Sequence, residues 1–131
     1  MKKVVIAGSL SFEKEIKEWV SWWTDQGLAV INYPSPSSEG GKFPESYPEI
    51  KRKFYQDLSK ADILFVVNGD KNGMSGYIGA QVFAEMVFAV ALNLIYDKNV
   101  KIILAKVPSK KVQSYEEIEH WLALGWIKIY E

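Results

Sequence analysis

The chain has 131 residues, 48% of them hydrophobic, with 16 Lys+Arg balancing 16 Asp+Glu, one histidine and no cysteine. That is material for one domain around one core, spanning residues 1–131. It excludes disulfides, thiolate metal sites, cysteine nucleophiles and a histidine-cluster metal centre, and it lacks the basic excess of a nucleic-acid binder.

The opening "MKKVVIAGSLSF" carries two lysines, but its apolar run Val4 to Ala7 is too short for the core of a signal peptide. No apolar run reaches the roughly 18 residues of a membrane span, and Glu85 interrupts the longest one. A soluble, cytoplasmic protein without a membrane or nucleic-acid partner is expected. Zero net charge also removes one barrier to self-association.

In chain order, Lys3 to Ala7 is a short β-branched run that ends in Gly8-Ser9, a buried strand feeding a tight turn. Ser11 suits the N-cap of a helix from Phe12 to about Gln26, with Glu13 and Glu15 where the helix dipole favours them and Gly27 as the stop. Leu28 to Tyr33 is a second strand. Pro34 to Pro44 is a Pro/Ser/Gly-rich loop, and Pro48 suits the first turn of a helix reaching Lys60. "ADILFVVN", Ala61 to Asn68, is the clearest buried strand, followed by the polar glycine-rich loop Gly69 to Gly76. A long helix runs from about Ile78 to Tyr96, and Lys101 to Ala105 is a fourth strand. Ser114 and Glu117 have the spacing of a capping box for a helix through Leu124, which Gly125 ends. Ile127 to Tyr130 is a candidate fifth strand.

Strands alternating with helices imply a three-layer α-β-α fold of flavodoxin/Rossmann type: about five mostly parallel strands with helices on both faces. In such sheets ligands bind beyond the carboxyl ends of the strands, near a topological switch point. That gathers the Gly8-Ser9 turn, the loop from Pro34 and the loop from Asn68 to Gly76.

The helix from Ile78 is apolar on nearly every face, so it is expected to be buried by the sheet on one side and by a second copy of the protein on another. Inside it stands one carboxylate, Glu85, six residues after Gly79 and so roughly 9 Å along the axis. An unpaired buried carboxylate costs several kcal/mol. Glu85 therefore needs a wet cleft or a network to receive it.

Three stretches together resemble the nucleoside 2-deoxyribosyltransferase-like family, with its 2'-deoxynucleoside 5'-phosphate N-glycosidase relatives. "VVIAGSLSF" is similar to the family's opening strand and turn, "ADILFVVNGD" to its third strand, and "EMVFA", Glu85 to Ala89, to the Glu-Ile-Gly-Tyr/Phe-Ala that carries its nucleophile. The likeness covers about Val4 to Leu104. It implies deoxyribosyl transfer or hydrolysis at the N-glycosidic bond of a nucleoside or nucleotide, with no cofactor and no metal, by a homodimer or higher homo-oligomer. It casts Glu85 as nucleophile and Asp70 as the acid that assists departure of the base. Asn68 would hold base or sugar. Ser9, with the amides of Gly8 and Leu10, would hold a sugar hydroxyl or a phosphate. Gly73, Gly76 and Gly79 would let the backbone approach the ligand, and Tyr77 would stack on the base or hydrogen-bond to it.

The sequence departs from the family at Val87, where the family has glycine, at Val82, where a Ser or Thr is usual, and at Ile6, where an aromatic is frequent. These changes strip polar groups from the implied site. They keep open a non-catalytic nucleotide- or nucleoside-binding module on the same fold. A flavodoxin-like flavin binder fits less well, since "GSLS" only partly matches a phosphate-cradling turn. Trp19, Trp22 and Trp23 fall on one helical stripe and are expected to pack. His120 is expected at the surface, Lys106 to Lys111 in a solvated loop, and Asp62 as a cap at the edge opposite the cleft.

Overall fold

A computed structural model describes residues 1–36 and 45–131, so the loop from Pro34 lies outside the described residues from position 37 to Pro44. The elements are β1 (Lys3–Gly8), a 3-10 turn (Leu10–Phe12), α1 (Glu13–Asp25), β2 (Ala29–Asn32), α2 (Tyr47–Lys60), β3 (Ile63–Val67), α3 (Ala80–Tyr96), β4 (Lys101–Leu104), α4 (Tyr115–Leu124) and β5 (Ile127–Ile129). The strands form one sheet in the order β2-β1-β3-β4-β5, parallel throughout.

That order follows from crossover handedness. The chain steps outward from β1 to β2, then returns past β1 to β3 and continues to β4 and β5. Right-handed crossovers put the helix of the first step on one face and those of the later steps on the other. Accordingly Ile16 and Trp23 of α1 pack with Val4, Ile6, Ile63 and Phe65, while Leu58 of α2, Met86 of α3 and Trp121 of α4 pack with Val5, Ala7, Leu64 and Val66. The period-2 alternation of each strand supplies both faces. All five residues of β3 are buried, as expected of a central parallel strand.

Two local expectations change, and α3 shows two apolar sides. Ser9, not Ser11, caps the first helical turn, its side chain accepting from the Ser11 amide, and the chain completes a 3-10 turn before α1 starts. Ser114 makes no capping bond and its Oγ is buried without a partner, so the capping box is not formed. On α3, Val82, Glu85, Met86, Ala89 and Val90 are buried but Val87, Leu94, Ile95 and Tyr96 are exposed. One side of the helix is thus buried within the single chain, and its outer side is apolar too. Asp62 behaves as expected, accepting from the Lys3 amide at 2.8 Å at the amino-terminal edge of the sheet. No described helix is long and apolar enough to cross a membrane.

Candidate active site

The switch point lies between β1 and β3, where Gly8 is in register with Val67. A Cβ on Gly8 would stand 3.1 Å from the Val67 carbonyl oxygen and 3.3 Å from Ile16 Cδ1, a tight fit that glycine avoids where β1 leaves the sheet. Two hollows open on either side of this point. One, of about 240 Å3, is lined by Asn32, Tyr33, Phe54, Gln81 and Glu85 among others. The other, of about 360 Å3, is lined by Ser9, Leu10, Lys71, Tyr77 and Gly79 among others. Gly8 and Gln81 line both, so the two hollows flank the start of α3 and meet at that pair.

Glu85 reaches the first hollow from the second turn of α3 and is only 4% exposed. Its Oε2 lies 3.4 Å from Lys51 Nζ, a side chain of α2 that is itself 15% exposed. Lys51 also stands over the rings of Tyr47 and Tyr55, 5.7 and 5.9 Å from their centroids. The carboxylate is thus neither sealed in hydrocarbon nor in bulk solvent. A cation offsets its charge, and a ligand-sized space adjoins it.

The second hollow has a different character. Lys71 Nζ is 3.1 Å from Ser9 Oγ and 5.4 Å from the centre of the Tyr77 ring, and Ser9 and Ser11 share a hydroxyl–hydroxyl bond of 2.7 Å. α3 begins here at Gly79 with no side-chain cap, so the amides of its first turn face outward at the positive end of a 17-residue helix.

Other residues named from the sequence stand apart from both hollows. Asn68 is buried and its amide is spent on the backbone of Lys106: Nδ2 donates to the carbonyl at 2.7 Å and Oδ1 accepts from the amide at 3.1 Å, lashing the ends of β3 and β4 together. Asp70 Oδ1 accepts from Lys106 Nζ at 2.8 Å and from the Gly76 amide at 3.2 Å. The Lys106 ammonium, and after it the Gly76 amide, hold this carboxyl below the usual carboxylate range, so it keeps its charge to a lower pH than a free aspartate. Gly73 sits at the tip of a tight turn closed by Lys71 and Met74, and Gly76 is pinned against Val107. The structure sets Gly8, Ser9, Leu10, Tyr77 and Gly79 around one hollow and Glu85, with Gly8, on the adjoining one, and leaves Asn68, Asp70, Gly73 and Gly76 to frame the loop.

Sequence reasoning missed Asn32, Lys51, Asp57, Lys71 and Gln81. Gln81 was within reach, four residues before Glu85 and hence on the same helical face. The others depend on which strand lies beside which. A larger hollow, of about 580 Å3, lies at the opposite edge of the sheet, between the end of α3 and β4–β5. Its Asn93 amide is spent on both backbone groups of Val100, at 2.9 and 2.7 Å, as a structural tie. The described residues contain no cluster suited to a metal ion.

No protein-family model and no curated protein matches the sequence. Solved structures do match. The CMP N-glycosidase of Clostridium botulinum superposes with a TM-score of 0.57 at 18% identity, over 99% of this chain and 90% of that one. A 2-deoxyribosyltransferase from Leishmania mexicana gives a TM-score of 0.56 at 14% identity, over 81% of this chain and 66% of that one. A 2-deoxyribosyltransferase from Bacillus psychrosaccharolyticus gives 0.49 at 19% identity, over 78% of this chain and 70% of that one. At these identities the likeness is one of fold. On the first two superpositions, the chain has the fold of the nucleoside 2-deoxyribosyltransferase-like enzymes that its three motifs resemble.

Proposed function

We propose that this chain acts on the N-glycosidic bond of 2'-deoxynucleosides or their 5'-monophosphates, with Glu85 as nucleophile. The observation that carries the reading is the placement of Glu85: a buried carboxylate opening onto a hollow at the switch point of a fold shared with an N-glycosidase and a deoxyribosyltransferase. A carboxylate oxygen attacks the anomeric carbon as the bond to the base breaks. The base leaves with the bonding electron pair and takes up a proton. The glycosyl ester then passes to water in hydrolysis, or to a second base in transfer, and Glu85 is regenerated. Two easier steps replace one through an oxocarbenium-like transition state. In this proposal the hollow around Ser9, Lys71 and Gly79 takes the 5' end of the sugar, hydroxyl or phosphate, and Tyr77 flanks it. In this proposal Asp70, bonded to Lys106 and to the Gly76 amide, fixes the loop, and water supplies the proton. A second copy of the chain covers the outer face of α3.

The test is base release and base exchange, measured with deoxynucleosides plus a free base and, separately, with deoxynucleoside monophosphates. Turnover that falls on the order of 10^3-fold or more in Glu85→Gln supports the reading. Turnover that survives the substitution overturns the role of Glu85.

A second reading, a binding module without turnover, is favoured by the Lys51–Glu85 ion pair and by the commitment of Asn68 and Asp70 to structural bonds. Nucleotide binding with no base release, little altered in Glu85→Gln, would establish it.

A further inference from the structure

Asp57 is only 5% exposed, one of three buried polar or charged side chains among the described residues. It sits on α2 between Phe54 and Leu58, both core residues, and so faces the sheet. Its Oδ2 accepts from Asn32 Nδ2 at 2.8 Å, and Lys53, one turn earlier, brings Nζ to 3.1 Å from Oδ1 and 3.0 Å from Oδ2. Asn32 is the last residue of β2, half-buried, and lines the hollow that Glu85 enters.

This arrangement fixes more than position. A carboxylate oxygen has no hydrogen to give, so the Asn32 amide can face Asp57 only through its nitrogen. Oδ1 is thereby turned the other way, and no donor of the described residues meets it. Nδ2 keeps a second hydrogen. The rim of the hollow therefore carries an acceptor and a donor side by side in one fixed sense, since the flip that would exchange them breaks the bond to Asp57.

We propose that Asn32, oriented by Asp57, is the residue that selects the base, favouring an exocyclic amino group beside an unprotonated ring nitrogen, as in cytosine and adenine. The amino group donates to Oδ1 and the ring nitrogen accepts from Nδ2. Uracil and hypoxanthine place a carbonyl against Oδ1 in that register and leave a buried acceptor unpaired. Asp57 is the positioning residue and touches no ligand itself. The inference rests on the hollow being a nucleoside site, but not on turnover.

The experiment is calorimetric titration of the full chain, carrying Glu85→Gln to prevent turnover, with 2'-deoxynucleoside monophosphates of cytosine, uracil, adenine and hypoxanthine. Each amino-bearing ligand is expected to bind about tenfold or more tighter than its keto counterpart. Asp57→Asn, which frees the amide to flip, brings each ratio to within about threefold. Asn32→Ala, at a half-buried strand end, does the same with weaker binding and serves where Asp57→Asn does not fold by circular dichroism. A ratio that survives in either folded variant, or no preference in the parent, overturns the assignment of Asn32 while the nucleoside-site reading stands. A folded protein that binds none of the four overturns both.

Discussion

Lys51 and Glu85 meet at 3.4 Å with both side chains largely withdrawn from water, so neither charge is well solvated without the other. Removing one partner of such a pair weakens the compensation of a largely buried charge, which costs more than the pair contributes when intact. Lys51→Met is expected to destabilise the fold by roughly 1–3 kcal/mol, less than a fully buried pair because Lys51 retains some solvent. Adding Glu85→Gln should restore most of that loss, since the carboxylate whose charge Lys51 offset is gone. Denaturant unfolding of the two single variants and the double variant gives the coupling directly, and independent losses that simply add would refute it. Glu85 was legible in the sequence because a lone charge in an apolar run demands an explanation. Lys51 and Asp57 were not, because in "EIKRKFYQDLSK" two more charges look like an ordinary solvated helix face. Their burial follows from the packing of α2 on β1 and β2, which no local pattern states.

The loop between β3 and α3 is held by backbone geometry. Gly76 has φ of 64°, and a Cβ there would lie 2.4 Å from the Val107 carbonyl oxygen and 2.8 Å from Pro108 Cα. Gly76→Ala combines left-handed strain with a backbone clash, so a loss of roughly 2 kcal/mol or more is expected, read as a melting temperature lower by about 5–10 °C. An unchanged melting point would mean the two loops do not abut. The sequence marked Gly76 as meaningful but assigned it to ligand approach, because the partner loop lies some thirty residues on. α3 is the element whose outer face is unexplained within one chain: Val87 is 41% exposed and Ile95 69%, two turns apart on one stripe. If a second copy covers that stripe, Val87→Lys should convert a dimer or larger species to monomer by light scattering. Its melting point at low protein concentration should hold, since an exposed valine contributes little within the chain. A monomeric parent chain at every concentration would sink this.

On the scale of the whole molecule, the two faces of the sheet are covered unequally. Among the described residues three helices pack on one face and α1 alone on the other. Strand and helix order was readable because each period of the hydrophobic pattern is local, and handedness then dictated the faces. What the pattern could not give is how one helix covers most of a five-stranded face, with a hollow left beside Trp23, Ile103 and Tyr130. Aromatic bulk does it. Trp19 and Trp22 of α1 reach Tyr130, just beyond β5, at ring-centre distances of 4.9 and 5.4 Å in edge-to-face geometry, and Trp19 and Trp23 pack on Phe65 of β3 at 4.4 and 5.4 Å. The stripe expected to pack thus spans from β3 to the far edge of the sheet. Tyr130 is the end of that span, and its ring has no substitute from another helix. Tyr130→Ala is expected to cost about 1–3 kcal/mol and to red-shift the tryptophan emission as water reaches Trp19 and Trp22. Ligand binding at the β1–β3 switch point should be unaffected, because Tyr130 lines neither hollow there. A melting point and emission spectrum equal to the parent's would show that α1 covers the face without it.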